Sequence, residues 1–237
     1  MKKIPVLLLL SIYLLSCGGS GSSQRIIGFV SGIGVISNNE MRYYEPNWEG
    51  VWEEVEFYKF TLPRGYSNLL GFIGGIGTVI NNELRYYELT GFGEWEEDEE
   101  LRFPLPRGYS NIISVISGVA MVVNNELRFY EPNRFGVWEE NESNRFELPS
   151  GYREIVGLIG GIGVVVNNEL RFYIPNWQSE WEEDIDARLD LPRGYSNIVG
   201  FINGVGMIVN NEFRLYEQSY YSDGWEEDED FRFTLPR

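Results

Sequence analysis

The chain alternates short apolar runs with turn signals, and the same order of runs returns five times. In the last copy Asn197-Ile198-Val199-Gly200-Phe201-Ile202 is followed by Asn203-Gly204, then Val205-Gly206-Met207-Ile208-Val209, then Asn210-Asn211, then Glu212-Phe213-Arg214-Leu215-Tyr216. Apolar runs of this length bounded by Gly and Asn pairs predict strands joined by two-residue hairpins, because both residues tolerate the positive φ of a type I′ turn. The first turn recurs as Ser31-Gly32, Gly74-Gly75, Ser117-Gly118 and Gly160-Gly161, with glycine always second. A longer, variable connection follows. A fourth strand, Asp230-Phe231-Arg232-Phe233-Thr234-Leu235, is then ended by Pro236, as Pro63, Pro106, Pro149 and Pro192 end the earlier copies. No segment carries a helical period.

Asn-Asn-Glu begins at Asn38, Asn81, Asn124, Asn167 and Asn210, and Trp-Glu-Glu at Trp52, Trp95, Trp138, Trp181 and Trp225. The period is about 43 residues, with one extra residue in the last copy. Four antiparallel strands per repeat, five times over, predict an all-β, five-bladed β-propeller. A stacked solenoid is the alternative, but it needs atypical capping repeats, and the first and last copies resemble the middle ones. The expected propeller spans 24–237, with repeats near 24–64, 65–107, 108–150, 151–193 and 194–237. Third-strand segments such as Met41-Arg42-Tyr43-Tyr44 and Leu127-Arg128-Phe129-Tyr130 place apolar rings on both sides, as a blade packed on both faces requires. Large rings fill the wedge between diverging blades, and Gly34, Gly77, Gly163 and Gly206 allow close approach nearer the axis. No strand is split between the termini, so ring closure is expected to rest on packing of the last blade against the first.

The start of the chain is different. Met1-Lys2-Lys3 precedes an apolar stretch from Ile4 to Leu15, too short to span a bilayer but suited to the apolar region of an export signal. It ends in Leu14-Leu15-Ser16-Cys17, followed by Gly18-Gly19-Ser20-Gly21-Ser22-Ser23, and this resembles the lipobox of bacterial lipoproteins. The resemblance implies a leader over 1–16, lipidation at Cys17 and a flexible Gly/Ser tether over 17–23, with export and anchoring to a bacterial envelope membrane. An ordinary export signal with a leftover cysteine is the plainer reading. Cys17 is the sole cysteine, so no disulfide can form within the chain.

Charge and composition remove whole classes of function. The chain carries 36 acidic against 19 basic side chains, a formal charge of −17, and losing Lys2 and Lys3 with a leader would lower it by two more. A body this acidic is repelled by nucleic-acid phosphates and by anionic lipid, so no nucleic-acid partner is expected and membrane contact is expected through the lipid anchor only. There is no histidine. Ser-His-Asp triads, Cys-His pairs and the usual zinc sites are therefore excluded. Carboxylate chemistry is possible in principle, but a catalytic site is one asymmetric constellation and here the acids recur in every copy. A non-enzymatic, cofactor-free monomer is expected.

Recurring positions supply the candidate sites. The acidic runs after each Trp (Glu53-Glu54, Glu96 to Glu100, Glu139-Glu140, Glu182 to Asp184, Glu226 to Asp230) lack the spacing of a calcium loop. They read as charges that precede an exposed edge strand and block aggregation. Arg42, Arg85, Arg128, Arg171 and Arg214, with Lys59, Arg102, Arg145, Arg188 and Arg232, are expected to pair with acids across strands. The inter-blade linkers read Arg64-Gly65-Tyr66-Ser67-Asn68, Arg107-Gly108-Tyr109-Ser110-Asn111 and Arg193-Gly194-Tyr195-Ser196-Asn197, decaying to Ser150-Gly151-Tyr152-Arg153-Glu154. Each is either a small polar pocket or a Tyr packed between blades. The variable loop before the fourth strand offers Trp48, Phe92, Phe135, Trp177, Tyr220 and Tyr221 on the opposite ring face. These suit either stacking on a ligand or covering of the neighbouring blade.

The order of features resembles the tachylectin and tectonin group of propeller lectins. The shared pattern is an apolar strand, a Gly turn, a strand running into Asn-Asn, a Leu-Arg-Phe-Tyr type strand, and a Trp opening the last strand before Leu-Pro. It covers Gln24 to Arg237, and the long acidic run after each Trp departs from it. The resemblance implies the propeller fold and carbohydrate binding. Two functions are thus expected in competition: a multivalent carbohydrate binder, whose similar weak sites gain by effective concentration, or a scaffold for an envelope protein partner.

Overall fold

The computed structural model describes residues 9–11, 25–29, 31–178, 180–201, 204–218 and 224–236. Five antiparallel sheets follow one another along the chain. Blade 1 contains Arg25–Gly28, Ile33–Ser37 and Glu40–Pro46, and its outer strand is split into Trp52–Glu54 and Phe60–Thr61 around a single 3-10 turn, Glu56–Tyr58. Blade 2 contains Tyr66–Phe72, Gly75–Ile80, Glu83–Leu89 and Trp95–Pro104. Blade 3 contains Tyr109–Val115, Gly118–Val123, Glu126–Pro132 and Trp138–Glu147. Blade 4 contains Tyr152–Leu158, Gly161–Val166, Glu169–Pro175 and Trp181–Asp190. Blade 5 contains Tyr195–Gly200, Gly204–Val209, Glu212–Gln218 and Trp225–Thr234. The chain is therefore an all-β, five-bladed propeller.

The first strands of neighbouring blades lie against one another around the axis, and the fourth strands form the rim. Leu9–Ser11 forms a short strand antiparallel to Tyr66–Phe72, with Leu9 opposite Phe72 and Ser11 opposite Leu70, and lies among the first strands. Cys17 and the rest of the expected leader and tether fall outside the described residues, as do Tyr220 and Tyr221.

The two hairpins of each blade obey different rules. The Asn-Asn turns carry positive φ at both positions, 47° and 65° at Asn38 and Asn39, as expected from their composition. The glycine hairpin sits one residue earlier than its sequence suggests. Phe72 pairs with Gly75 and Leu158 with Gly161, so Ile73-Gly74 and Ile159-Gly160 make those turns, and positive φ falls on Gly74 and Gly160. The recurring second glycine instead opens the next strand. A Cβ on Gly118, Gly161 or Gly204 would overlap the carbonyl oxygen of Tyr130, Tyr173 or Tyr216 on the third strand. Close backbone approach, not turn geometry, requires glycine there.

The outer strands begin at the Trp, so the acidic runs lie inside them rather than ahead of them. Register slips within each outer strand: Asp98 pairs with Tyr86 and Phe103 with Leu84, leaving the residues between arched away from the sheet. In blade 1 this arch is the 3-10 turn.

Blades meet through aromatic junctions. Phe103 stacks on Trp138 at 5.0 Å, Phe129 on Trp181 at 5.2 Å, and Phe172 on Trp225 at 4.7 Å. Among the described residues no strand is shared between the first and last blades. Trp52 meets Phe213 edge-on at 5.4 Å, stacks near Phe233 at 5.5 Å, and donates its Nε1–H to the Phe231 carbonyl at 3.1 Å. One buried cluster consequently unites Ile26, Ile33 and Met41 with Val199, Phe201 and Phe213.

Candidate functional site

Because strands alternate direction, each blade sends its glycine hairpin and its third-to-fourth loop to one face of the disk, called here the loop face. The Asn-Asn turns and inter-blade linkers lie on the other, the linker face.

On the linker face the Tyr side chains serve the core. Tyr66, Tyr109, Tyr152 and Tyr195 are half-buried, and each packs against one of the four hydrophobic clusters. Burial pushes Tyr109 and Tyr195 above their ordinary value. Gly65, Gly108, Gly151 and Gly194 have φ of 79° to 81°, and the Tyr66 N–H donates to the Pro63 carbonyl at 3.4 Å, closing a turn that needs a glycine. Asn68, Asn111 and Asn197 are half-buried; the first two follow a bulge, and Asn197 is itself the bulged residue, at φ 55°. Arg64, Arg107 and Arg193 are exposed. Arg64, Tyr66, Asn68 and their counterparts line none of the three cavities described below.

The rim is a lattice of ion pairs. Arg128 reaches Glu126 at 2.9 Å and Glu140 at 3.8 Å, while Arg145 reaches Glu140 at 2.6 Å, and the same pattern holds in the other blades. The Tyr130, Tyr173 and Tyr216 hydroxyls donate to Glu140, Glu183 and Glu227. Burial first, and the carboxylate charge second, push these tyrosines upward, so they remain donors at neutral pH. Exposed pairs of this kind are worth well under about 1 kcal/mol each. They account for the recurring cations and for part of the acid excess. Among the described residues no group of three or more Asp, Glu or Cys is placed to hold a metal ion.

The loop face presents aromatics. Trp48, Phe92, Phe135 and Trp177 are 91%, 95%, 74% and 89% exposed. Their loops share one internal brace. The Asn47 side-chain oxygen accepts from the amides of Glu49 and Val51, Asn133 from Phe135 and Val137, Asn176 from Gln178 and Glu180, and Thr90 Oγ1 from Phe92 and Glu94. The amide nitrogens of Asn47, Asn133 and Asn176 also donate to Glu53, Glu139 and Glu182. The loops thus hold their aromatics out in solvent by fixed hydrogen bonds. The rings do not cover neighbouring blades.

Cavities occur at the junctions of this same face. Between blades 1 and 2 a cavity of about 360 Å³ is walled by Phe29, Tyr43, Tyr58, Phe72 and Trp95, with Ser31 and Glu45 as polar groups. Between blades 4 and 5 a cavity of about 240 Å³ is walled by Leu158, Phe172, Ile174, Ala187 and Trp225, with Asp184 and Gln218 as polar groups. The two occupy corresponding repeat positions: Phe29 answers to Leu158, Tyr43 to Phe172, Glu45 to Ile174, Tyr58 to Ala187 and Trp95 to Trp225. A more open groove of about 730 Å³ runs between the Trp48 loop and Asp230–Thr234 of blade 5. Sequence reasoning did not single out these cavity residues, because the pockets are formed by the spacing between sheets. One signal was present: Glu45, Glu88, Glu131 and Glu217 share a register position at which blade 4 alone has Ile174.

No protein-family model and no curated protein matches this chain. Among solved structures it is similar to Hsv2 of Kluyveromyces lactis, at 9% identity and a TM-score of 0.42, covering 90% of this chain and 86% of that one. A form of KlHsv2 with loop 6CD replaced by a Gly-Ser linker gives 8% identity and 0.46, covering 90% of this chain and all of that one. A functionally unknown protein from Desulfotomaculum acetoxidans gives 12% and 0.41, covering 83% of this chain and 65% of that one. Likeness at this level concerns the fold alone. A β-propeller is commonly a binding scaffold.

Proposed function

We propose that this propeller is a non-catalytic, multivalent, lectin-like carbohydrate binder that uses its loop face. The observation that carries the reading is the recurrence of a cavity at equivalent residues of two blade junctions, on the face where braced loops hold exposed aromatics. Sugars present flat C–H faces to aromatic rings and hydroxyls to a few fixed polar groups, and cavities with aromatic rings among apolar walls and few polar groups offer that combination. Several weak sites on one rigid ring gain affinity through effective concentration. Acyl chains on Cys17 would hold the disk at a bacterial envelope membrane, and the Gly/Ser tether would let its acidic body stand clear of the lipid.

The test is a glycan array probed with the chain from Gly18 onward, followed by calorimetric titration of each hit against Trp48→Ala, Trp177→Ala and Trp225→Ala. Binding with a stoichiometry above one, weakened by these changes, supports the reading. A silent array refutes it for the sugars displayed. Crosslinking would then test a scaffold for an envelope protein, the reading that the Trp rings and the stacking of Arg134 on Phe135 at 4.7 Å favour as hot-spot chemistry.

A further inference from the structure

The two junction cavities share a position but carry their carboxylates at different places. Between blades 4 and 5 the carboxylate is Asp184, and the walls include Phe172, Ile174 and Ala187. At the corresponding places between blades 1 and 2 stand Tyr43, Glu45 and Tyr58. The Tyr43 hydroxyl lies 2.8 Å from Ser31 Oγ and also within the reach of Glu45. Phe29 meets Tyr43 edge-on at 5.3 Å, and Tyr58 lies 5.1 Å from Tyr43 and 6.4 Å from Trp95. The cavity is thus a cluster of aromatic rings with one carboxylate.

Two polar groups at this junction lack protein partners of the right kind. The ion pairs of blade 1 use Glu40, Glu54 and Glu56, leaving Glu45 without a cation among the described residues. Glu45 also stands directly opposite Glu53 on the neighbouring strand, a like-charge pairing that a cation would relieve. The second group is the Trp95 indole, whose Nε1 is buried with no hydrogen-bond partner. Trp52, Trp138 and Trp225 donate instead to the carbonyls of Phe231, Leu101 and Ala187 on the preceding blade's outer strand. The equivalent carbonyl for Trp95 belongs to Tyr58, and Tyr58 is in the 3-10 turn that interrupts that strand. Trp181 Nε1 is also unpartnered, but it lines none of the three cavities.

We propose that the blade 1–2 cavity binds a small organic ammonium ion, an amino sugar with a free amine being its carbohydrate form. The inference rests on reading the loop-face cavities as binding sites. The ammonium sits against the Glu45 carboxylate and the faces of the neighbouring rings, where a cation is attracted by both charge and quadrupole. A cavity of about 360 Å³ accommodates a ligand of this size. The blade 4–5 cavity has Ile174 at this position, and its carboxylate is Asp184 instead.

The full chain, solubilised in non-ionic detergent with its tryptophan indoles ¹⁵N-labelled, is titrated with glucosamine, N-acetylglucosamine and choline. The Trp95 and Trp225 indole signals are assigned through Trp95→Phe and Trp225→Phe. Glucosamine and choline should shift the Trp95 signal about tenfold more tightly than N-acetylglucosamine, and Glu45→Gln should abolish that preference while Glu49→Gln on the exposed loop leaves it intact. An unmoved Trp95 signal, equal response to charged and neutral sugars, or a preference that survives Glu45→Gln overturns the inference. Neutral sugars that shift Trp225 without any charge preference at Trp95 sink the inference and spare the lectin reading. Choline binding at Trp95 with no sugar bound anywhere supports the inference and sinks the lectin reading.

Discussion

Trp52→Phe and Trp95→Phe remove the same atoms from equivalent blade junctions, yet the two changes should differ in cost. In both, loss of the second indole ring sacrifices apolar contact and leaves a small void, at about 1–2 kcal/mol. Trp52 also loses its 3.1 Å hydrogen bond to the Phe231 carbonyl. That adds about 1 kcal/mol. Trp95 has no such bond, and its buried Nε1–H is unsatisfied. Deleting an unsatisfied buried donor returns about 1–3 kcal/mol and offsets most of the packing loss. The expected totals are about 2–3 kcal/mol for Trp52→Phe and near zero for Trp95→Phe, a gap of about 2 kcal/mol. With a urea m-value of about 2–3 kcal/mol/M, the unfolding midpoints should lie about 0.7–1 M apart. Far-UV circular dichroism is the right probe, since tryptophan fluorescence changes with the substitution itself. Trp138→Phe and Trp225→Phe should group with Trp52→Phe, because both indoles donate to a carbonyl. Equal midpoints for Trp52→Phe and Trp95→Phe, or a lower one for Trp95→Phe, would refute the hydrogen-bond reasoning.

Gly118→Ala forces a Cβ into the Tyr130 carbonyl and should cost about 1–3 kcal/mol, whereas Gly74→Ala, with φ of 79° and open space around it, should cost only about 1 kcal/mol; thermal melts that rank them the other way would show that turn geometry dominates. Burial pushes the Glu154 carboxyl above its ordinary 4.5, so the folded state binds its proton more tightly than the unfolded chain and this group lowers stability as pH rises past 4.5. Glu154→Gln should therefore raise the melting temperature at pH 7, with the gain vanishing below about pH 4; a gain of the same size at both pH values would point to another cause. Cys17→Ser should move the protein from the detergent phase to the aqueous phase and abolish metabolic labelling with a fatty-acid analogue. Labelling that persists in the variant would refute lipidation at this residue.

The sequence by itself determined the number of blades, the four strands of each, and the manner of closure. These follow from local rules repeated at a fixed period: Asn-Asn demands a turn, Leu-Pro ends a strand, and an apolar run between them must find a neighbouring sheet. Recurring Tyr and Arg in the linkers were equally legible, but their sequence leaves open what the tyrosines touch; their half-buried packing became visible only with neighbouring blades in place. The recurring glycine at Gly118 and its equivalents was legible as a requirement and not as a reason, because its cause is a carbonyl on the third strand. Trp48, Phe135 and Trp177 lie opposite the linkers, as strand alternation predicts, but only the braced geometry of Asn47, Asn133 and Asn176 decided that they face solvent. The junction cavities belong wholly to tertiary structure. Glu45 and Trp95 belong to different blades, a full repeat apart along the chain, and they come to line one cavity because adjacent sheets diverge, a distance that no local pattern encodes.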